Sequence, residues 1–130
     1  MKLNLYLLTF FLLLLKFTSC SDKTVEEKLI GNWKLVEIYD GKKYISQERN
    51  PKNHILVEFK IDGTYFTTGA PYAPKTGKWF YKPINKVLFM DSDAGSGDDT
   101  KWSLEFKNDT IEFRGKSPFI KTVVAKWVKN

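Results

Sequence analysis

The chain has 130 residues, a net charge of +6, one cysteine and one histidine. A single cysteine excludes an internal disulfide, and one histidine excludes a multi-histidine metal site. Lysines are interspersed with acids along the whole length, so the basic stripe that nucleic-acid binding requires is missing.

Met1 and Lys2 precede an apolar run from Leu3 to Leu15, broken only by Asn4 and Thr9, and then Lys16-Phe17-Thr18-Ser19-Cys20. A basic start, an apolar core of this length and small residues before a cut site describe a secretory signal over residues 1–19. The run is too short to cross a bilayer, for which about 20 apolar residues are needed. Cleavage after Ser19 leaves Cys20 as the new N-terminus, removes Lys2 and Lys16, and makes residues 20–24 a linker to one domain over 25–130.

The only helical pattern beyond the leader is Lys23 to Ile30, where Thr24 is placed to cap a turn containing Glu26 and Glu27. Everything after it alternates with period two. Eight strands are predicted: Asn32 to Asp40, His54 to Lys60, Thr64 to Thr68, Lys78 to Lys82, Lys86 to Asp91, Lys101 to Lys107, Thr110 to Arg114, and Phe119 to Val128. Ile61-Asp62-Gly63 fits a three-residue hairpin loop that pairs Phe59 with Tyr65. Pro83-Ile84-Asn85, read as a loop of the same length, sets Tyr81 against Val87 and Trp79 against Phe89. Asn108-Asp109 as a two-residue turn sets Phe106 against Ile111 and Leu104 against Phe113. The buried face so defined holds Ile55, Val57, Phe59, Tyr65, Trp79, Tyr81, Val87, Phe89, Trp102, Leu104, Phe106, Ile111 and Phe113. In the last strand Val123, Ala125 and Trp127 face one way and Ile120, Thr122 and Val124 the other, and periodicity leaves the choice open.

Eight sequential antiparallel strands close into an up-and-down barrel, which removes the edges that would otherwise template aggregation. Connections alternate long and short, so one end carries the long loops Gly41 to Asn53, Gly69 to Gly77 and Ser92 to Thr100, and the other is closed by tight turns.

Two resemblances add to this reading. Phe17-Thr18-Ser19-Cys20 resembles the bacterial lipobox, and Ser21-Asp22 resembles the start of Bacteroidetes lipoproteins. That resemblance implies a diacylglycerol thioether on Cys20, a further acyl group such as palmitate on its amine, and a place in the cell envelope, most often the outer membrane. Gly31-Asn32-Trp33 resembles the Gly-x-Trp motif that opens a lipocalin barrel. Phe59-x-x-Asp62-Gly63-Thr64-Tyr65 followed by Gly77-Lys78-Trp79 resembles the short lipocalin-like domains of bacterial lipoproteins. The likeness spans residues 25–130 and implies an eight-stranded barrel holding a small hydrophobic ligand, with Trp33 plugging the closed end. Well-known lipocalins place an Arg late in the last strand over this Trp, whereas that strand here offers only Lys121, Lys126 and Lys129, which sets the chain nearer to the short bacterial domains.

Catalysis has little support, because His54 has no identified partner and the lone cysteine is committed to acylation. No cofactor is expected. Asp91, Asp93, Asp98 and Asp99 form an acidic cluster whose oxygens suit Ca²⁺, although Trp102 stands where an EF-hand would place its bidentate Glu; a solvated turn is the competing reading. Tyr65, Trp79, Phe89, Trp102 and Phe113 are the expected lining of an apolar cavity at the barrel's centre. Lys42, Lys43, Arg49 and Lys52, then Pro71, Tyr72 and Pro74, and the acidic cluster make up the mouth above it. The leading expectation is therefore a monomeric, membrane-tethered binding protein. The alternative is a barrel filled by its own side chains that serves as a protein-interaction or structural module of the envelope.

Overall fold

The structure is a computed structural model that describes residues 21–69 and 74–130. Residues 1–19, read above as a signal peptide, and Cys20, Pro71 and Tyr72 lie outside the described residues.

Thr24 starts the first helix, α1 (Val25–Leu29), with a reciprocal cap. Its hydroxyl accepts from the Glu27 N–H at 3.2 Å, and the Glu27 carboxylate accepts from the Thr24 N–H at 3.1 Å. The strands are β1 (Gly31–Asp40), β2 (Lys43–Tyr44), β3 (Leu56–Phe59), β4 (Thr64–Thr68), β5 (Lys75–Lys82), β6 (Val87–Ser92), β7 (Thr100–Lys107), β8 (Thr110–Gly115) and β9 (Val123–Lys129). β2 is a two-residue ribbon paired only to β1. The other eight form an antiparallel meander that closes through β1 and β9, with Leu35 opposite Trp127 and Ile38 opposite Ala125. A bulge between Leu35 and Glu37 turns Val36 out, so Trp33, Leu35 and Ile38 all contribute to the core despite their uneven spacing.

Beyond shifts of a single residue at strand ends, four features differ from the sequence reading. The first long loop contains β2 and a helical turn, α2 (Ser46–Arg49). β3 begins at Leu56 because the buried Asn50 carboxamide captures the N–H groups of His54 and Ile55 (3.0 and 3.3 Å) while donating to the Leu35 carbonyl at 3.1 Å. β5 begins three residues early, at Lys75. β9 begins at Val123 because Pro118, which has no N–H to give a ladder, starts a 3₁₀ turn over Pro118–Ile120.

The consequential correction is a register shift of one residue between β5 and β6. The turn takes four residues, Pro83 to Lys86, with Lys86 in the left-handed region (φ 55°) and its N–H bonded to the Pro83 carbonyl at 3.3 Å. Lys82 therefore pairs with Val87, Tyr81 with Leu88, and Trp79 with Met90. A slip of one residue exchanges the faces of a strand. Leu88 and Met90 enter the core, and Val87 and Phe89 leave it. The other two predicted hairpins keep their registers, with Phe59 opposite Tyr65 and Leu104 opposite Phe113.

α1 and the three tight turns share one end. There the Trp33 indole N–H donates to the Leu29 carbonyl at 2.7 Å, and Lys129 Nζ sits 4.4 Å from the Trp33 ring centre while donating to the Ile30 carbonyl at 2.7 Å. The last strand thus supplies a cation over this Trp after all, as a lysine. Burial pushes the Lys129 ammonium below its ordinary pKa, and Lys23 adds to this. Leu29, Val57, Phe59, Leu88 and Ile111 are the most completely buried large side chains. Burial of each apolar side chain of this kind contributes about 1.5–3 kcal/mol to the fold. The buried cluster runs from Leu29 to Ala125, so residues 21–130 contain a complete core of their own.

Candidate functional site

Large and small inward side chains are distributed unevenly along the barrel axis. Toward the tight turns the interior carries Phe59, Trp79 and Ile111 of the buried cluster, with the large side chains of Tyr81, Leu104 and Phe106 packed against them. Toward the long loops the inward positions include Thr67, Thr100, Ala125 and Gly115. The closed half is consequently packed and the open half is hollow.

The hollow consists of two adjoining lobes that share Thr67, Lys75, Trp102 and Trp127. The deeper lobe, about 180 Å³, is walled by Val57, Tyr65, Met90 and Phe113. The upper lobe, about 240 Å³, is walled by Leu35, Ile38, Ile55 and Ala125 and reaches Arg49 at the rim. Three rings line the deeper lobe in series: Phe113 lies 5.8 Å from Trp102 and 5.7 Å from Trp127. The Trp102 indole N–H is held by the Thr100 hydroxyl at 2.9 Å. Tyr65 owes its position to Gly77, directly opposite on β5. A Cβ at residue 77 would come within 2.6 Å of the tyrosine ring and 2.1 Å of the Asp91 carbonyl. Burial pushes the Tyr65 phenol above its ordinary pKa, against the pull of the Ser92 hydroxyl, and Asp93, Asp99 and Asp91 raise it further.

The charged lining residues are at the mouth. Lys75 reaches Asp98 at 3.4 Å, joining the start of β5 to the loop between β6 and β7. Thr76 donates to Asp93 at 2.7 Å, and Asp99 accepts from the Ser92 N–H at 2.8 Å. The acidic cluster proposed for calcium is therefore divided among separate partners, and among the described residues no three acidic, histidine or cysteine side chains converge on one point. Lys42 and Lys52 are exposed, and Lys43 pairs with Glu48 at 2.8 Å. Pro74 is exposed at the start of β5, and His54 is exposed beside the end of β4.

Of the five residues expected to line the cavity, Tyr65, Trp102 and Phe113 do so. Trp79 belongs to the packed half: its indole N–H donates to the Lys60 carbonyl at 3.1 Å, and its ring meets Phe59 edge-on at 5.5 Å. Phe89 is on the outer surface, stacked on Phe80 at 4.7 Å between the ammonium groups of Lys82 and Lys101. Met90 was missed through the same register error. Trp127 was missed because its strand has apolar side chains on both faces; its pairing with Leu35 across the closing seam is what turns it inward. Thr67 and Lys75 carry no distinguishing sequence signal, being polar residues on an apolar wall.

No family model matches the sequence, and no curated protein matches it. Among solved structures, the chain is similar to a DUF4847 family protein from Bacteroides vulgatus, with a TM-score of 0.57 and 13% identity over 82% of this chain and 98% of that one. At that identity the likeness concerns the fold: an all-β, eight-stranded closed barrel.

Proposed function

We propose that the chain is an exported, lipocalin-like lipoprotein, acylated on Cys20, whose barrel takes up a compact hydrophobic ligand through its long-loop end without catalysing a reaction on it. The observation that carries the ligand reading is the uneven filling of the barrel: an aromatic-walled hollow opens under the long loops above a solidly packed base. Ligand pockets commonly run to about 300–1,000 Å³, so the two lobes together favour a ligand of modest size with rings to stack on Trp102, Trp127 and Phe113. Lys75, Asp98 and Arg49 at the rim suit a polar group left at the mouth. The lipobox resemblance supports the anchor, and α1 sits at the closed end, so an acylated Cys20 would tether that end. The mouth then faces away from the membrane, for which the outer membrane is our choice.

The test is binding of N-phenyl-1-naphthylamine to residues 21–130, followed by probe fluorescence and by quenching of the indoles. Saturable binding that Met90→Trp abolishes supports the reading. Absence of saturable uptake, together with no lipid extractable from protein purified from its own envelope, would leave the filled-barrel module as the better account. Acylation is tested separately, by the mass of the N-terminal peptide and its loss in Cys20→Ala.

A further inference from the structure

The closed end carries two side chains that the fold does not need. Ile61 and Ile84 are 86% and 96% exposed, the highest values among the exposed large hydrophobics, and each sits at the tip of a tight hairpin. Neither turn requires an isoleucine. The first is organised by Asp62 and Gly63, with Asp62 Oδ1 accepting from the Thr64 N–H and hydroxyl (2.9 and 2.6 Å). The second is organised by Pro83 and by Lys86 in the left-handed region. The two tips belong to successive hairpins, β3–β4 and β5–β6, at the same end of the barrel; because Thr64 pairs with Lys78 and β5 continues to Lys82, they are separated by two strand spacings across the sheet and by about 13 Å along it.

Lysines flank both tips. Lys60 precedes Ile61, and Lys82 and Lys86 bracket Ile84, all three exposed. The one acid in the two tips, Asp62, is turned back onto Thr64, which holds its carboxyl below the ordinary carboxylate range. Lys23 and Lys28 of the α1 region lie at the same end, with Glu27 committed to the helix cap; Glu26 and the exposed Asp109 of the third turn are further acids at this end. Apolar side chains projecting singly from lysine-flanked turns match a lipid headgroup layer, in which the apolar groups reach the acyl boundary and the ammonium groups stay among phosphates.

We propose that the closed end of the barrel is a membrane-contacting surface, in which Ile61 and Ile84 insert into the interface of an anionic phospholipid bilayer and Lys60, Lys82 and Lys86 pair with its phosphates. This contact adds to the anchor and reinforces the orientation that attachment at the closed end favours. It does not depend on acylation or on a ligand.

Residues 21–130, which lack Cys20, are mixed with vesicles of phosphatidylethanolamine and phosphatidylglycerol, or of phosphatidylcholine alone, and floated on a density gradient. Wild type is expected to partition into the anionic vesicles and to be released by salt. Ile61→Ser and Ile84→Ser should each weaken partition about tenfold and the pair should abolish it, with thermal melting unchanged because neither side chain is packed. Lys82→Gln with Lys86→Gln should weaken binding to the anionic vesicles and reduce its salt dependence, leaving the part that Lys60 contributes. No partition of wild type, or equal partition of the double isoleucine variant, overturns the proposal. So does a larger loss from Phe119→Ser, since Phe119 is exposed at the opposite end. Because the fragment has no acylation site, failure here leaves the lipoprotein reading standing, and loss of acylation in the whole protein leaves this one standing.

Discussion

Replacing Leu88 and Phe89 by alanine, one at a time, tests the register on which the cavity assignment rests. Leu88 is fully buried. Removing it costs about 2–5 kcal/mol, as other buried leucines do, because the packed half of the barrel has little freedom to collapse into the gap. Phe89 loses only its stacking on Phe80 and its contacts with Lys82 and Lys101 on an outer face where Phe80 is itself 40% exposed. An aromatic pair is worth about 0.5–1.5 kcal/mol and an exposed cation–π contact about 0.5–1 kcal/mol, so the larger ring should cost less than the smaller side chain. Urea unfolding of residues 21–130, followed by tryptophan fluorescence, measures both. With slopes of about 1–3 kcal/mol/M, Leu88→Ala should lower the midpoint by about 1 M or more at unchanged slope, and Phe89→Ala by a fraction of that. The reverse order would restore the three-residue turn, put Phe89 inside, and remove Met90 from the cavity wall.

Other expectations follow from the closed end and from the outer surface. Trp33→Phe keeps the ring but removes the N–H that satisfies the Leu29 carbonyl, and should cost about 1–3 kcal/mol in the same assay. Lys126 donates to Glu37 at 2.8 Å, and this bond is the largest cause holding the Glu37 carboxyl below its ordinary value of 4.5; the Lys126 charge and the Tyr39 hydroxyl act in the same direction, against desolvation. A carboxylate whose pKa is lower in the folded than in the unfolded chain stabilises the fold above the unfolded value, and the contribution disappears as pH falls through the folded one. The melting difference between wild type and Glu37→Gln should therefore be present at neutral pH, shrink below about pH 4.5 and vanish at lower pH. It should be small throughout, since both side chains are more than a third exposed.

The barrel and its polarity were legible in the sequence because period-two alternation and turn chemistry act locally. Asn108, with φ 53°, adopts the left-handed conformation that a two-residue hairpin needs, and Gly63, with φ 83°, does the same for the first hairpin. The Pro83 turn was misread because Lys86, a residue with no preference for positive φ, takes that conformation, which no local pattern announces. One such residue exchanged Phe89 for Met90 on the inner face. Trp127 could be placed only once β9 was known to pair with β1, a contact between the two ends of the chain. Nor does periodicity report depth along the barrel axis. Trp79 and Trp102 both face inward, yet one closes the base and the other lines the hollow.

The hollow has an energetic consequence that can be measured. Sealed apolar cavities cost about 24 cal/mol per Å³, so the deeper lobe of 180 Å³ sets a ceiling of about 4 kcal/mol of forgone stability. The true cost is lower because the mouth admits water. Even so, a domain of this size has only about 5–15 kcal/mol to lose, and the packed half must carry the fold while the open half remains unfilled. Thr67 is placed to expose this trade-off, since it borders both lobes and points inward from a strand whose next inward residue is Tyr65. Thr67→Leu puts apolar volume into the hollow. At about 0.8 kcal/mol per buried methylene it should raise stability by about 1 kcal/mol while lowering affinity for the naphthylamine probe at least tenfold. Lower stability with undiminished probe binding would mean that the threonine is not beside open space, and that the hollow is not where the probe resides.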